Sequence, residues 1–319
     1  MTWTSRTSGT TNALNDIVHT GSLYVAGGYG GTLLTSPDGI TWTARTSGTT
    51  STLNGVAWSG SLLAAVGDGG AALTSTDGMT WTARTSGSTA ILRDVVYAGS
   101  QFVAVGEGGV ILTSTDGITW TSRTSGTTNR IYSVAWTGTQ LVAVGNGGGI
   151  WTSPNGITWT SRTSGLPVPL KAVAWTGTQL VAGGGNYALT SPDGVTWTPR
   201  TTASYGINGI VSTGTAIVAV GDGNSIVSST DGVTWILQNA GIGASSKMFA
   251  VVAAGAQFTA VGENGNIITS PQATAIRSPA GVPKPSSYSG SLVLVNGRKY
   301  SGLNDVKFHR IPFTAVAAH

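Results

Sequence analysis

Residues 90–126 read AILRDVVYAGSQFVAVGEGGVILTSTDGITWTSRTSG and contain one complete unit of a repeat. Four short runs rich in Val, Ile, Thr, Tyr and Phe alternate with Gly, Ser and Asp, which predicts four strands joined by tight turns. The runs are LRDVVY, QFVAVG, VILTS and ITWTSR. Four short antiparallel strands in about 40 residues are typical of a β-propeller blade. The alternative is a β-solenoid, whose coils are usually shorter and leave both ends to be capped.

The Trp of this unit recurs at an almost constant distance. It falls 39 residues apart four times and then 38 apart twice, at Trp3, Trp42, Trp81, Trp120, Trp159, Trp197 and Trp235. The chain begins with a fourth strand at residues 2–6, and its last repeat has three strands but no Trp after Ser270. We therefore predict an all-β, seven-bladed β-propeller with four-stranded blades over residues 1–275. The N-terminal strand is expected to complete the last blade, which leaves no interrupted sheet.

The composition limits the possible functions. Charged residues make up 9% of the 319 residues, against about 25% in ordinary soluble domains. The absence of Cys excludes disulfides, zinc thiolate sites and thiol nucleophiles, and three scattered His do not suit a metal site. We expect no metal and no other cofactor. Apolar runs stay below the roughly 18 residues of a membrane span and the N-terminus lacks a signal segment, so we expect no membrane insertion.

The net charge of +4 is concentrated at the C-terminal end. Residues 1–275 contain ten Lys and Arg against eleven Asp and Glu, whereas residues 276–319 contain six against one. The high pI therefore describes the end of the chain and not the repeats. A nucleic-acid footprint on the repeat body is not expected.

The repeat ends after Pro271, and residues 276–319 are predicted to be a linker and a short C-terminal β extension. Residues 277–290 are rich in Pro, Ser and Gly, as linkers are. The stretch SLVLVNGRKYSG predicts a hairpin with Asn296-Gly297 as its turn. Because the segment is too short for its own core, we expect it to be an assembly contact that binds through four residues, Arg298, Lys299, Phe308 and Phe313.

The turn between the third and fourth strands carries a recurrent phrase, which we call the SxDG turn. It reads SPDGITW at residues 36–42 and recurs at residues 75–81, 114–120, 153–159, 191–197 and 229–235, with Asn155 in place of Asp in the fourth copy. The phrase resembles the Asp-box, or bacterial neuraminidase, repeat over residues 1–275. The longer phrase at residues 104–120 resembles the seven-bladed propellers of the photosystem II assembly and stability factor group.

The repeated Asp and Trp are interpreted as structural. An Asp at a turn accepts hydrogen bonds from backbone N–H groups two or three residues on, and Trp packs as an apolar wedge. A calcium loop or a catalytic Asp is the functional alternative, but six sites of one chemistry do not suit a single active site. We interpret the Arg that ends each fourth strand in the same way.

Sialidases share the Asp-box, so a glycosidase is the enzymatic alternative. That resemblance implies three convergent Arg, a Tyr–Glu nucleophile pair, an Asp acid and usually six blades. The positions where first strands begin, which we call the mouth column, contain a single Arg. The column consists of Asn15, Asn54, Arg93, Tyr132, Lys171, Asn208 and Phe249. We expect no enzymatic activity.

A binding site is expected where the repeats differ, and the mouth column is polar and variable. It is predicted to lie where the strands enter the central channel, on the face opposite the SxDG turns. The candidate ligand-binding residues are Arg93, Arg130, Tyr132, Lys171, Asn15 and Asn54. A basic and aromatic cluster suits an anionic sugar or a phosphate-bearing polymer. The alternative is a solvated rim whose charges offset nearby Asp and Glu.

The favoured hypothesis is a non-enzymatic binding or scaffold propeller of a bacteriophage tail or fibre, active in host-surface attachment. Its partners would be other virion proteins, bound through the extension, and a host-surface glycan. Its location would be the virion or the extracellular space. The alternatives are a secreted glycan-binding lectin and an assembly factor like the photosystem II group, with a sialidase-like glycosidase as a further one.

Overall fold

The computed structural model describes residues 1–202, 206–240 and 246–271, together with the backbone of two short strands near the C-terminus. The chain divides into two compact units, Met1–Ile276 and Arg277–His319. The first unit contains seven antiparallel four-stranded sheets, which confirms the seven-bladed β-propeller. The solenoid alternative is wrong, because six sheets each pair four consecutive strands and the seventh joins the first strand of the chain to the last three of the propeller, which closes a ring.

Strands are numbered β1 to β30 in chain order, and each blade runs from the central channel outwards. Blades 1 and 2 consist of β2 (Leu14–His19), β3 (Tyr24–Gly28), β4 (Leu33–Ser36), β5 (Thr43–Arg45), β6 (Leu53–Trp58), β7 (Leu63–Gly67), β8 (Ala71–Ser75) and β9 (Thr82–Thr85). Blades 3 and 4 consist of β10 (Leu92–Ala98), β11 (Gln101–Gly106), β12 (Ile111–Ser114), β13 (Thr121–Arg123), β14 (Ile131–Trp136), β15 (Leu141–Gly145), β16 (Gly149–Ser153) and β17 (Thr160–Thr163).

The remaining blades follow the same plan. Blades 5 and 6 consist of β18 (Ala172–Trp175), β19 (Leu180–Gly184), β20 (Tyr187–Ser191), β21 (Thr198–Thr201), β22 (Ile207–Ser212), β23 (Ile217–Gly221), β24 (Ile226–Ser229) and β25 (Ile236–Gln238). Blade 7 consists of β26 (Met248–Ala254), β27 (Gln257–Gly262), β28 (Ile267–Pro271) and β1 (Thr4–Arg6). Short 3₁₀ turns join the second and third strands of six blades, at Tyr29–Gly31, Asp68–Gly70, Glu107–Gly109, Asn146–Gly148, Asp222–Asn224 and Glu263–Gly265.

Burial follows the position of a strand in its blade. The second strands are buried at almost every position, and β15 at all of them, because a neighbouring blade covers each face of the sheet. The fourth strands, such as β13, are largely exposed and rich in Thr and Ser. Seven apolar clusters fill the contacts between adjacent blades. In the cluster between blades 2 and 3, Val66 packs with Leu92 and Phe102.

The ring closes as the sequence predicts. Strand β1 pairs antiparallel with β28, with Thr4 opposite Thr269 and Arg6 opposite Ile267. Trp3 is 4% exposed and belongs to the apolar cluster between blades 6 and 7, which also contains Phe258. The two ends of the propeller therefore share one sheet and one core.

The SxDG turn is held by its own side chains, as the turn at Ser75 shows. Asp77 Oδ1 accepts hydrogen bonds from the backbone N–H groups of Met79 and Thr80, at 2.8 and 2.9 Å. Trp81 Nε1 donates to the Gly78 carbonyl at 3.1 Å. Gly78 has a φ of +73°, which favours Gly, and a Cβ there would lie 2.8 Å from the Leu23 side chain of the adjacent blade. The Asp is therefore a turn residue, as expected; membership of the Asp-box family stays a prediction.

Most of the Arg side chains that end the fourth strands lie across their blades. In five blades the Nε atom donates to a Thr hydroxyl of the third strand at 2.8 to 3.0 Å, from Arg6, Arg45, Arg84, Arg123 and Arg162. Blade 6 has Gln238 at this position, and its Nε2 donates to Ser228 at 2.8 Å. The structural interpretation of these Arg residues fits this geometry.

Beyond the propeller, β29 (Val293–Val295) and β30 (Arg298–Tyr300) pair antiparallel. The hairpin predicted around Asn296-Gly297 is therefore present. The side chains of Arg298 and Lys299, the residues Phe308 and Phe313, and the linker all lie outside the described residues. Their assembly role stays a prediction.

Trp3→Ala is expected to weaken ring closure. It empties a buried site in the core that the two ends of the propeller share, and we expect a loss of about 3–5 kcal/mol in the free energy of unfolding. Urea denaturation followed by circular dichroism measures it. Met79→Ala, at an exposed apolar side chain, is the control, and an equal loss in both variants would contradict the role of Trp3.

The SxDG turn predicts a difference between two substitutions at Asp116. Asp116→Ala removes the acceptor for the N–H groups of Ile118 and Thr119 and is expected to lower Tm by roughly 2–4 °C. Asp116→Asn keeps a carbonyl oxygen there, as Asn155 does in blade 4, and is expected to lower Tm by less than half as much. An equal fall in Tm for the two variants would show that the hydrogen-bond acceptor at residue 116 does not stabilise the turn.

Candidate functional site

The mouth column is formed by a local irregularity in the first strand of a blade. In β2 the pairing register shifts between Leu14 and Asp16, so Asn15 lies in a β-bulge. The same shift recurs in β6, β10, β14, β22 and β26. A bulge turns the side chain of the extra residue away from the face that its neighbours use. Positions that would otherwise pack between blades therefore face the channel.

All seven residues of the mouth column line the entrance of the central channel. Each is half-buried. The cavity inside the channel is about 210 Å³, enough for one or two side chains but not for a threaded chain. A ligand of any size would therefore lie across the mouth. The second-to-third turns and the fourth-to-first loops open on this same face, as the sequence predicts.

Three Asn of the mouth column connect neighbouring blades. Asn15 Nδ2 donates to the Leu53 carbonyl of blade 2 at 3.1 Å and to Asn54 Oδ1 at 3.2 Å. Asn54 Nδ2 in turn donates to Asp68 and to the Leu92 carbonyl of blade 3, both at 2.9 Å. Asn208 makes the equivalent bonds to Asp222 and the Met248 carbonyl. These amides satisfy carbonyl groups at the bulges, so Asn15 and Asn54 hold the ring as well as lining the mouth.

The basic cluster predicted on blades 3 and 4 forms around one carboxylate. Glu107, on the turn Glu107–Gly109, accepts hydrogen bonds from Arg93 Nε at 2.9 Å and from Arg130 Nε at 2.6 Å. Burial alone would raise the pKa of Glu107, but the bonds from Arg130 and Arg93 outweigh it and lower the pKa. The Arg130 guanidinium also lies 5.3 Å from the centre of the Tyr132 ring and donates to its hydroxyl at 3.1 Å.

Lys171 differs from the two Arg because it has no carboxylate partner among the described residues. Its Nζ donates to Asn208 Oδ1 at 2.8 Å. Blades 3 to 5 thus bring three cations to the mouth, Arg93, Arg130 and Lys171, of which the two Arg are paired with Glu107. With Asp94, which lines the same cavity beside Arg93, three positive charges stand against two carboxylates, which leaves a net of +1 for an incoming anion. The two salt bridges to Glu107 neutralise part of the positive charge, as the solvated-rim alternative expects. An excess of positive charge remains.

Two further carboxylates line the channel below the mouth. Asp16 Oδ2 accepts the backbone N–H of Val56 in blade 2 at 2.7 Å. Asp94 Oδ2 accepts that of Val134 in blade 4 at 2.9 Å, and its Oδ1 accepts the N–H of Val95. Each residue is half-buried, bordering the channel, while protein surrounds its carboxyl group. Burial raises the pKa of both, and the charge of Asp94 raises the pKa of Asp16 further.

The structure adds Tyr29 to the candidate site. Its side chain is 61% exposed and lines the mouth beside Asn15 and Asn54. The sequence analysis did not predict Tyr29, because the mouth column includes only residues at the start of first strands. The signal in the sequence is a Tyr at the start of the second-to-third turn, where other blades have Asp, Glu or Asn. Tyr29, Tyr132 and Phe249 give the mouth three aromatic rings. Glu107 was not among the predicted site residues, yet it binds both Arg93 and Arg130.

The inner aromatic residues deeper in the channel pack between blades. Trp58, Tyr97, Trp136 and Trp175 are half-buried against four different inter-blade clusters. Among the described residues there is no group of three or more His, Cys, Asp or Glu able to hold a metal ion. In that part of the chain no helix has the length and apolarity needed to cross a membrane.

Comparisons with known proteins identify the fold. No protein-family profile matches the chain, and no curated protein matches its sequence. Among solved structures, YCF48 bound to D1 peptide is similar with a TM-score of 0.70 and 18% identity, covering 84% of this chain and 94% of that one. YCF48 from Cyanidioschyzon merolae gives 0.69 and 18%, covering 84% and 98%.

A third solved structure, the WD40 β-propeller domain of Doa1, gives a TM-score of 0.67 and 11% identity, covering 84% of this chain and 97% of that one. At these identities the likeness shows the fold alone.

The buried Asp pair predicts a stability that falls as pH rises. Since burial raises the pKa of Asp16 to about 8 and that of Asp94 to about 6, the folded state holds these protons more tightly than the unfolded state does. The resulting stability is present at acid pH and lost as pH rises through these values. We expect Tm to fall between about pH 4, near the pKa of an unfolded Asp, and about pH 8, the folded pKa of Asp16, and Asp16→Asn to remove much of the fall.

Thermal melts over this range provide the measurement. Asp38→Asn is the control, since backbone N–H groups of Thr41 and Ile40 lower the pKa of Asp38 and its carboxylate stays ionised throughout. An unchanged pH dependence in Asp16→Asn would mean that the pair does not titrate in this window.

Proposed function

We propose that this chain is a non-enzymatic, protein-binding propeller of the assembly-factor type, which holds an acidic segment of a partner protein across the channel mouth. The observation that carries the proposal is the charge balance of blades 3 to 5, where Arg93 and Arg130 share the carboxylate of Glu107 and Lys171 has no carboxylate partner among the described residues. A carboxylate of the partner would compensate the excess. Its binding to Arg and Lys uses charge-assisted hydrogen bonds, which are stronger than neutral ones.

The aromatic rings favour a polypeptide as the ligand. Tyr29, Tyr132 and Phe249 line the mouth together with the cations, so acidic and apolar groups both find partners there. An extended segment offers both kinds of side chain on one short chain. The structural likeness to YCF48 bound to D1 peptide supports this class of ligand.

The carboxylates of the channel support a non-enzymatic function. Both oxygens of Asp94 accept backbone N–H groups, and Asp16 accepts that of Val56. They connect blades and do not project towards a substrate as the acid and nucleophile of a glycosidase must. Asp68 is likewise held by Asn54.

The virion setting, the contact with other virion proteins and the extracellular location stay predictions. A host-surface glycan is the second candidate ligand, because a mouth that combines aromatic rings with cations also suits an acidic sugar. The same experiment separates the two ligands.

The test uses an array of acidic ten-residue peptides that contain Phe or Tyr, matched peptides with Gln in place of Glu, and a glycan array. We expect the full chain to bind acidic peptides, and the double variant Arg130→Gln, Lys171→Gln to bind them at least about tenfold more weakly. Arg123→Gln, the same change on an outer strand, is the matched control and is expected to bind normally.

Two outcomes would contradict the proposal. Equal binding of acidic and Gln-matched peptides would show that the cation excess does not select the ligand. Binding to acidic glycans alone, lost in the double variant, would identify the same mouth as a lectin site.

A further inference from the structure

The turn between the second and third strands of blade 4 begins with Asn146, which is followed by Gly147. The equivalent turns of four other blades begin with an acidic residue: Asp68, Glu107, Asp222 and Glu263. In an Asn-Gly pair the backbone nitrogen of the Gly can attack the side-chain carboxamide of the Asn, because Gly has no side chain to hinder the approach. Loss of the amide at Asn146 would therefore create a carboxylate where other blades already have one.

Asn-Gly pairs occur at five places in the part of the chain that the structure describes: Asn54-Gly55, Asn146-Gly147, Asn155-Gly156, Asn208-Gly209 and Asn264-Gly265. Hydrogen bonds fix the side chain in three of them. Asn54 Nδ2 and Asn208 Nδ2 each donate to a carboxylate and to a carbonyl of the next blade. Asn155 Oδ1 accepts two backbone N–H groups, and the N–H of Gly156 donates to Ser153 Oγ at 2.8 Å. These carboxamides are not free to turn towards the following nitrogen.

The pair Asn264-Gly265 is restricted by its Gly. Asn264 is exposed, but Gly265 is buried. A Cβ on Gly265 would overlap the carbonyl group of Thr10, so the chain is closely packed at this point. The nitrogen that would have to attack therefore lies on the buried side of the turn.

Asn146 meets neither restriction. The residue is exposed, and its side chain makes no hydrogen bond to any described residue. Its backbone N–H donates to the Arg130 carbonyl at 2.9 Å. Gly147 is exposed as well, and no atom lies within 4 Å of the position that its Cβ would take. The carboxamide of Asn146 can thus approach the Gly147 nitrogen without displacing a neighbour.

We propose that Asn146 is a site of spontaneous deamidation, which adds a carboxylate to the rim of the channel mouth. Gly147 N loses its proton to the solvent and forms a bond to Asn146 Cγ, and the carboxamide nitrogen leaves as ammonia. Water then opens the succinimide ring at either of its carbonyl carbons, which gives aspartate or isoaspartate at position 146. Both products carry the new carboxylate, and the reaction consumes only water.

The aspartate product fits the turn. Blades 2 and 6 have Asp68 and Asp222 at this position, and the Gly that follows has a φ of +66° in blade 2 and +62° in blade 6. Gly147 has the same φ of +62°. Deamidation to aspartate therefore changes the charge of the turn and not its backbone.

The new carboxylate would lie beside the basic cluster of the mouth, since the turn is bonded to Arg130 through its backbone. It would compete with Glu107 for the Arg130 guanidinium and reduce the local net charge from +1 to zero. This consequence rests on the proposed function: a mouth without a positive excess binds an acidic segment more weakly. Because the amide is not restored, the change would be permanent in each molecule.

The experiment is peptide mapping by mass spectrometry of the full chain, incubated in mildly alkaline buffer and sampled over time. We expect Asn146 to lose its amide first among the five pairs, with a rate that rises with pH because the attacking nitrogen must lose its proton. Loss at Asn296, which lies outside the described residues, is scored separately. An unchanged Asn146, or equal rates at Asn146 and Asn155, would overturn the proposal.

Gly147→Asn is the matched control. Blade 7 has Asn264 at this position of the same turn, with a φ of +57°, so the variant is expected to fold normally. A side chain at residue 147 hinders the attack on Asn146, and the new Asn is followed by Gly148, which is buried. We expect amide loss at Asn146 to slow to the rate of Asn155. An unchanged rate would show that Gly147 does not supply the nucleophile.

The effect on binding is measured by comparing Asn146→Asp with Asn146→Gln. At low salt the Asp variant is expected to bind acidic peptides about two- to fivefold more weakly, as for one exposed pair of charges, and the Gln variant to bind normally. Equal affinities would overturn the effect on the mouth. A wild type that binds no acidic peptide would instead contradict the proposed function, whereas the deamidation itself is measured without any ligand.

Discussion

Contact between neighbouring blades is the interaction on which the rest of the structure depends. A blade of four short strands has two apolar faces, and neither is covered unless a blade lies on each side. Seven clusters, one at each contact, supply this cover. The arrangement is complete only as a closed ring. The pairing of β1 with β28, with Trp3 buried in the same core, is therefore needed by all seven blades and not only by the seventh.

Because of the repeat, the number of blades and the closure of the ring could be predicted from the sequence. The period of Trp gave the number of blades, and its phase gave the closure, because Trp3 belongs to the blade that Ser270 leaves without a fourth strand. The mouth column followed from topology, since residues that begin first strands must meet at one end of the channel. The β-bulges were not predicted. Their cause is a single unpaired position such as Asn15, which leaves no mark in the spacing of apolar residues.

The candidate site was predictable in position but not in its interactions. Arg93, Tyr132 and Lys171 are brought together as expected, because they occupy equivalent positions in consecutive blades. The pairing of both Arg93 and Arg130 with Glu107 was not foreseen. This pairing joins residues from different parts of the repeat. Whether it forms depends on where the side chains point in the folded state, which the sequence spacing does not show. Tyr29 was not foreseen either. It lies on the turn between the second and third strands of blade 1, and this turn also borders the mouth.

The mouth column shows why a repeat protein can gain a binding site without losing its fold. Where the column residue is Asn, as at Asn54, its amide satisfies carbonyl groups between two blades. Where it is Arg or Lys, that bond is replaced by pairing across the mouth, as at Lys171 with Asn208. In blade 3, whose mouth residue is Arg93, the polar connection to the next blade is made by Asp94, which accepts the backbone N–H of Val134. Asp16 makes the same deeper connection in blade 1, where the mouth residue is Asn15. Because the deeper bond forms beside either Asn or Arg, the mouth position can vary for a ligand.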